Sequence, residues 1–219
     1  MLAPATSPTR IRLVTPTISQ EICISAPSCA PLLQYQLLQV LADLTPRVYE
    51  QAAKECGLTL EQARVIVERG ELVSAARAIR LACLIAHQPE SNEIFHVAGH
   101  GLFTSLYRQL PTSLRLTISA LPAPLRLRLA LRVTRRLGHN FAGGSGNVTI
   151  CRHQGRLYVK ITDGVFSDRL ETISGAYEFY RGIFEAMCQQ LARAKRKVVT
   201  VKRARVRLNQ CCFEIAREA

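Results

Sequence analysis

Two histidines, His96 and His100, stand four residues apart in the segment HVAGH. Residues with this spacing lie on one face of a helix, where a pair of imidazoles can bind a metal ion. The segment lacks the glutamate of a zincin-type HExxH motif, because Val97 occupies its place, and the spacing shows no third ligand. The sequence therefore predicts no metal site. His100 is a candidate axial ligand of a tetrapyrrole metal, beside the plainer interpretation of a packed, hydrogen-bonded histidine.

A glycine-rich segment, GHNFAGGSG over residues 138–146, contains His139 and Phe141. Its clustered glycines suit a backbone that passes close to a ligand or to another segment. It follows a predicted helix and lacks the GK[ST] ending, so it is neither a dinucleotide-binding fingerprint nor a P-loop. Two interpretations of this segment remain open: a turn that contacts a ligand, and a flexible connection between helix and strand. The chain shows no nicotinamide, flavin, iron–sulfur or nucleotide motif.

The eight cysteines form no CxxC pair and show no regular spacing. Most lie in apolar stretches, where a thiol behaves as a small hydrophobic side chain. Cys211 and Cys212 are adjacent on a predicted strand, so their side chains point to opposite faces and are poorly placed for a shared metal. There is no secretory signal and no apolar stretch of the ~18 residues that would span a bilayer. The sequence therefore predicts reduced thiols in a cytoplasmic protein.

Basic side chains outnumber acidic ones and are unevenly placed, with a formal net charge of +13. The 69 residues between Glu93 and Asp163 contain ten lysines and arginines and no acid, and residues 193–207 contain eight basic residues and no acid. Such fields attract anions: an acidic protein partner, an anionic membrane surface, nucleic acid or a carboxylate-bearing ligand. A solvated basic face with no specific ligand fits the charge equally well.

The segment AKECGLTLEQARVI, residues 53–66, has the spacing of a helix-turn-helix, with Gly57 in the turn. In a basic chain this makes DNA binding an alternative function. The second helix of the corner, however, carries Glu61 and Glu68, whose charges repel phosphates, and the basic residues lie elsewhere. Nucleic acid is therefore the less favoured partner.

Three local signals mark helix ends near the start of the chain. Pro46 ends a first helix that the leucine spacing predicts from Leu32. Gly57 is placed as the C-cap of a second helix, and Thr59 with Gln62 forms a capping-box signature at the start of a third.

The chain divides into three regions by pattern. Residues 1–30, rich in Ser, Thr and Pro, are predicted to be a disordered leader. Residues 31–92 are predicted to be helical, and residues 93–219 to form one domain of further helices, a β-hairpin, a long amphipathic helix and two more strands. The predicted fold class is α+β: N-terminal helices and an antiparallel four-stranded sheet with helices packed on one face.

The segments RRLGHNFAGGSG, YEFYRGIFEAMCQQL and CCFEI, with the hairpin between the first two, resemble the 4-vinyl reductase domain family. The resemblance is to its bacteriochlorophyll and divinyl protochlorophyllide 8-vinyl reductase members, and it covers residues 94–219. Family members often carry further cysteines about eight residues before the terminal one, where Arg203 and Ala204 stand here. The residues that match are His139, Phe141, Gly143, Cys211 and Phe213.

The resemblance implies a fold similar to small subunits of vesicle-tethering complexes, in which helices pack on an antiparallel sheet, with a pocket for an apolar ligand. It also implies a tetrapyrrole as that ligand and a link to chlorophyll or bacteriochlorophyll biosynthesis. The predicted ligand-binding residues are His139, Phe141, Gly143, His100, Tyr180 and Phe184.

Three functions follow as hypotheses. The first is a carrier or accessory factor for a chlorophyll precursor, in the cytoplasm or peripheral to a photosynthetic membrane. The second is a divinyl protochlorophyllide 8-vinyl reductase that takes electrons from outside, because the chain binds no recognisable cofactor of its own. The third is a ligand-sensing DNA-binding regulator that uses the helix-turn-helix-like corner. The sequence does not identify catalytic residues. It is compatible with a homodimer.

Overall fold

The computed structural model of the protein describes residues 30–70, 75–141, 147–154, 156–162, 166, 175–192, 196–200 and 210–217. Residues 1–29 of the predicted leader and most of the predicted strand over 197–208 lie outside these residues. The helices are α1 (Ala30–Leu44), α2 (Pro46–Cys56), α3 (Leu60–Arg69), α4 (Ala75–Ala86), α5 (Ser91–Gln109), α6 (Thr112–Ala120), α7 (Ala123–Phe141) and α8 (Ala176–Met187). The strands are β1 (Asn147–His153), β2 (Arg156–Thr162), β3 (Arg196–Thr200) and β4 (Gln210–Arg217).

The three local signals at helix ends are confirmed. Pro46 is the first residue of α2, where its missing N–H costs no helical hydrogen bond. Gly57 ends α2 in the left-handed conformation, with φ of 61°, a region that other residues adopt at a cost. Thr59 caps α3 by accepting a hydrogen bond from the Gln62 backbone N–H, while the Gln62 side chain accepts one from the Thr59 N–H.

The long helix predicted near the end of the chain is shorter than expected and changes type. Helix α8 begins at Ala176, and after Met187 the chain continues as a π-helical turn over Cys188–Ala192. A π-helical turn is wider than an α-helical one and is often found at functional sites. It alters the direction of the side chains that follow Met187.

The strands form one antiparallel sheet in the order β1-β2-β4-β3. In β4, buried and half-buried residues alternate along the strand, with Cys211, Phe213 and Ile215 on the buried face. Val159 and Ile161 of β2 lie opposite Phe213 and Cys211 in the pairing register. Because cross-strand partners share a face, one side of the sheet is covered by protein.

Helix α8 covers that face, since Phe184 packs on Phe213 with ring centroids 5.3 Å apart. On its other side α8 packs along α5, and α5 in turn contacts α1, so the N-terminal helices and the sheet flank one core. The buried residues form a single cluster from Leu32 to Ile215. The α+β class predicted from the sequence is confirmed, with helices outweighing the sheet.

Candidate functional site at the interface of helices α5 and α8

Helices α5 and α8 approach each other closely because glycines stand where they touch. A Cβ atom at Gly99 of α5 would collide with the backbone of Phe179, and one at Gly182 of α8 would collide with the backbone of His96 and His100. The two helix backbones are therefore in direct contact at this point, with no room for a side chain between them.

A charged cluster lines one part of this interface. His96 Nε2 donates a hydrogen bond to Glu185 Oε2 at 2.7 Å, and both side chains are about one quarter exposed. Arg181 Nη2 pairs with Glu178 Oε2 at 2.9 Å, and its Nε lies 3.5 Å from Glu185 Oε1. Glu185 therefore stands between two positively charged or chargeable side chains from both helices.

The cluster changes the pKa of Glu185. Burial raises the pKa of this carboxyl, because the protein solvates the charge less well than water does. The hydrogen bond from His96, together with the charges of His96, Arg181 and His100, acts in the opposite direction and prevails. The net result is a Glu185 pKa below its ordinary value, so the carboxylate is the resident form at neutral pH.

Two amide contacts continue the interface beyond the cluster. His100 Nε2 donates to Gln189 Oε1 at 3.1 Å, and Gln190 Nε2 donates to Thr104 Oγ1 at 2.6 Å. Both glutamines belong to the π-helical turn, and His100 and Thr104 are four residues apart on α5. The wide turn thus lets two consecutive glutamines reach the same face of α5.

A further polar contact joins α5 to α1 inside the helical part of the core. The buried Gln36 of α1 donates from Nε2 to Ser105 Oγ at 3.1 Å. Gly101 makes space for this amide, because a Cβ there would meet the Gln36 side-chain oxygen. Helix α5 therefore carries polar contacts toward both α1 and α8.

Four aromatic rings fill the space beside the interface. Phe166 packs edge-on against Phe95 and Phe179, with centroids 5.9 and 5.3 Å apart, and Phe179 packs on Tyr180 at 5.5 Å. The four side chains are almost completely buried, and the Tyr180 hydroxyl accepts a hydrogen bond from the Phe166 backbone N–H at 3.5 Å. These four side chains therefore belong to the packed core of the protein.

The predicted ligand-binding residues are placed as follows. His100, Tyr180 and Phe184 lie on α5 and α8, where His100 is half-buried and the two aromatic residues belong to the core. His139 and Phe141 stand in the last turn of α7, and their side chains lie outside the described part of the structure. Gly143 lies outside the described residues altogether.

Sequence reasoning missed Glu185 and Gln189, which bring the α5 histidines into contact with α8. A signal was present: His96, His100 and Thr104 repeat every four residues on α5, and Glu185 and Gln189 are also four residues apart, at the end of α8 and in the π-helical turn. Two polar rows of equal period on amphipathic helices indicate a polar seam between them. The 89-residue separation of the pairs, however, hides which rows meet.

The helix-turn-helix-like corner is present as the α2–α3 pair, but its second helix presents acids to solvent. Glu61 and Glu68 of α3 are exposed, and Arg64 is held by Glu68 at 2.9 Å. Helix α3 borders an open groove whose mixed lining includes both Glu61 and Arg69. Nothing in this surface has the uniform positive charge that binding to phosphates requires.

No protein-family model and no curated protein matches the sequence. Solved structures do match. A domain studied for heme distortion in the H-NOX family has a TM-score of 0.56 at 12% identity, over 87% of this chain and 95% of its own. A second, studied for the mechanism of H-NOX activation, has a TM-score of 0.53 at 12% identity, over 84% and 94%. An oxygen-binding H-NOX domain related to soluble guanylate cyclases has a TM-score of 0.52 at 12% identity, over 85% and 94%.

This likeness overturns the resemblance to the 4-vinyl reductase domain family. The three functions predicted from the sequence are therefore wrong: the chlorophyll-precursor carrier, the vinyl reductase and the DNA-binding regulator. The predicted link to photosynthesis is wrong as well. The residues that carried the resemblance explain the error: Cys211 and Phe213 are buried on β4, and Phe184 packs on Phe213 from α8. An aromatic helix on an alternating strand is a packing pattern that unrelated α+β folds share. By fold, the chain is similar to H-NOX domains along nearly its whole length.

Proposed function

We propose that this chain is a sensor domain that binds a small apolar molecule, with a heme-type tetrapyrrole as the first ligand class to test. The observation that carries the proposal is the likeness of fold, over more than four fifths of the chain, to H-NOX domains, one studied for heme distortion and another an oxygen-binding domain. At 12% identity this likeness concerns the fold, and the residues of this chain decide which ligand fits.

The histidines with described side chains do not fit an axially bound heme. His96 has its Nε2 engaged by Glu185 of α8 and His100 by Gln189 of the π-helical turn, at an interface too close for a planar macrocycle. His87 is exposed and bonds its own helix through Nδ1, and His153 is exposed at the end of β1. An axial ligand must present a free ring nitrogen to an apolar slot, and these four do not.

The proposal therefore assigns the ligand contact to the end of α7, at His139 with Phe141 and Gly143. Helix α7 carries five arginines and no acidic residue, which suits the carboxylates of a tetrapyrrole. Imidazole can bind the metal and an aromatic ring can pack on a macrocycle. When bound, a heme supplies a metal that takes up a diatomic gas, while the residues of the chain hold and orient it.

A second candidate is a cofactor-free interaction module on the same fold. It is favoured by the filled interface of α5 and α8, where both histidines already have partners and the aromatic core is closed. In such a module the polar seam has a structural role alone.

Hemin titration of the purified full chain separates the two candidates. We expect the sensor to bind hemin stoichiometrically, with a shifted Soret band and a spectrum of histidine ligation that His139→Ala abolishes. His153→Ala is the matched control, because it removes an exposed imidazole on the hairpin and should leave the spectrum unchanged.

The other outcomes are equally decisive. A Soret shift that survives His139→Ala but disappears in His100→Ala would move the contact to α5 and overturn the assignment to α7. Absence of any saturable hemin binding would exclude the heme-type ligand and favour the cofactor-free module.

A further inference from the structure

Helix α7 has a basic side that faces solvent and an apolar side that is buried. Leu125, Arg128 and Arg132 are exposed and stand three and four residues apart, a spacing that places them side by side along one face of a helix. Ala130 and Leu131 are buried. The exposures thus divide the helix lengthwise. We name Leu125, Arg128 and Arg132 the α7 face.

Most of the arginines of the helix occupy positions on this side. Successive residues of an α-helix are turned by about 100°. The α7 face and positions 135 and 136, both arginine, therefore fall within one arc of about 100° on the helix backbone. The arc thus contains four of the five arginine positions of α7, over a length of about 17 Å. Positive charge is therefore concentrated along one side of the helix.

The charge of the α7 face has no acidic partner within the described part of the chain. Residues 94–162 contain no aspartate or glutamate, and among the described residues no acid pairs with Arg128 or Arg132. Other arginines do pair where an acid stands nearby: Arg64 with Glu68, Arg156 with Glu214, and Arg181 with Glu178. The two arginines of the α7 face are therefore available to the acids of another molecule.

From this placement we infer that the α7 face docks an acidic helix of a partner protein. Arg128 and Arg132 are separated by about 6 Å along the axis of α7, and glutamates four residues apart on a partner helix have the same separation. Both arginines can then form ion pairs with carboxylates at once. Leu125 supplies an apolar contact at one end of the face. The inference does not depend on the ligand proposed above.

A lipid surface suits the α7 face less well. A helix that binds at a bilayer surface inserts its apolar side, but the apolar side of α7, with Ala130 and Leu131, is packed inside the protein. Among the described side chains of α7, Leu125 is the one large apolar residue that is exposed. The described helices are not long and apolar enough to cross a membrane.

Two labelled synthetic peptides test the inference, with binding to the full chain measured by fluorescence anisotropy. The first peptide is helical and carries glutamates at three- and four-residue spacing on one face. The second has the same composition in scrambled order, so that its net charge is equal. We expect the first peptide to bind with an affinity that falls as salt rises, and the scrambled peptide to bind about fivefold more weakly.

Substitutions on the α7 face should weaken binding of the first peptide. Arg128→Gln with Arg132→Gln should do so about tenfold, because each exposed ion pair contributes a factor of up to about five. Leu125→Ser should weaken binding about fivefold, because less apolar surface leaves water in the complex.

The matched control removes the same charge from another helix. Arg77 and Arg80 are exposed on α4, and Arg77→Gln with Arg80→Gln should retain wild-type binding. Circular dichroism verifies that every variant is folded. All these substitutions are at exposed positions, so none of them removes a core contact.

Three results would overturn the inference. One is no binding of the first peptide. A second is equal binding of the two peptides, or an equal loss in the α7 and α4 variants, since either result would mean that net charge alone attracts the peptide. The third is a chain that ignores the peptides but binds phosphatidylglycerol vesicles through Arg128 and Arg132, which would assign the α7 face to a membrane.

Discussion

Glu185 joins helices α5 and α8 through contacts with one side chain of each. It accepts a hydrogen bond from His96 of α5 and lies beside Arg181 of its own helix. Its pKa is lowered, although burial alone would raise it, because these partners favour the charged form. A carboxyl whose pKa is lower in the folded than in the unfolded chain stabilises the fold at neutral pH and stops doing so in acid.

The variant Glu185→Gln tests this contribution of the Glu185 carboxylate to stability. We expect the variant to lose about 1 kcal/mol of unfolding free energy at pH 7, a modest amount because the pair is partly exposed. The contribution of Glu185 is complete above the unfolded pKa of about 4.3 and disappears as the pH falls through the lower folded pKa. The difference between wild type and variant should therefore shrink toward pH 3, as measured by urea unfolding at several pH values.

Glu50→Gln is the control, because Glu50 is exposed on α2. It should differ little from wild type at any pH. A difference for Glu185→Gln that stays constant from pH 7 to pH 3 would show that the carboxylate charge has no part in stabilising the interface.

At the scale of elements, the contact of α5 with α8 depends on glycines placed where the helices touch. Glycine lowers helix stability by about 1 kcal/mol relative to alanine, so glycines inside helices usually have a packing reason. Here Gly99 and Gly182 allow backbone contact, and polar pairs on both sides of that contact set the pairing of the helices.

Gly182→Ala tests this arrangement. A Cβ at residue 182 would collide with the backbone of His96 and His100, which cannot move without displacing α5. We expect a loss of about 1–3 kcal/mol in unfolding free energy, because forced overpacking outweighs the gain in helix propensity. The midpoint of urea unfolding measures the effect.

The matched variant is Gly101→Ala on α5, at the contact of α5 with α1. Its Cβ would meet the end of the flexible Gln36 side chain, which can move aside at the loss of one hydrogen bond. A smaller destabilisation is therefore expected. Equal effects of the two alanines would mean that backbone contact does not determine the packing of α5 on α8.

At the scale of the whole molecule, one core connects regions that the sequence divides. The buried cluster runs from Leu32 to Ile215, and α1 of the predicted region 31–92 packs on α5 of the predicted region 93–219. The division into these two regions remains a prediction, and unfolding experiments can decide whether each is a separate cooperative unit.

We expect a single cooperative transition. The chain has six tyrosines and no tryptophan, so tyrosine fluorescence reports tertiary packing while far-ultraviolet circular dichroism reports helix content. The two probes should give the same midpoint and the same slope in urea. Two separated transitions would show that residues 31–92 and 93–219 unfold independently.

Local structure was predictable to the extent that it depends on neighbouring residues. Pro46, Gly57 and the pair of Thr59 with Gln62 mark helix ends through their own backbone and side-chain chemistry, and all three were predicted correctly. The first hairpin was also evident from alternation. The change from α8 to a π-helical turn was not, because the register of Gln189 and Gln190 depends on their partners on α5.

The candidate site was predicted less well. Tyr180 and Phe184 were predicted as ligand contacts through the resemblance, and the structure places both in the core, beside Phe166 and Phe213. Aromatic side chains at helical spacing look alike in a sequence whether they surround a ligand or each other. The partners of His96 and His100 were missed because they stand 89 residues away.

The sequence by itself determined the α+β class, the ends of the first helices and the uneven positive charge, because these follow from short-range chemistry and composition. Only the tertiary structure decided the likeness to H-NOX domains, the engagement of the α5 histidines by Glu185 and Gln189, and the backbone contact of α5 with α8 at Gly99 and Gly182. Those features depend on which faces of distant helices meet. The sequence pattern shows which face of each helix is apolar or polar, but it does not show which faces meet. Packing of the whole chain selects that pairing.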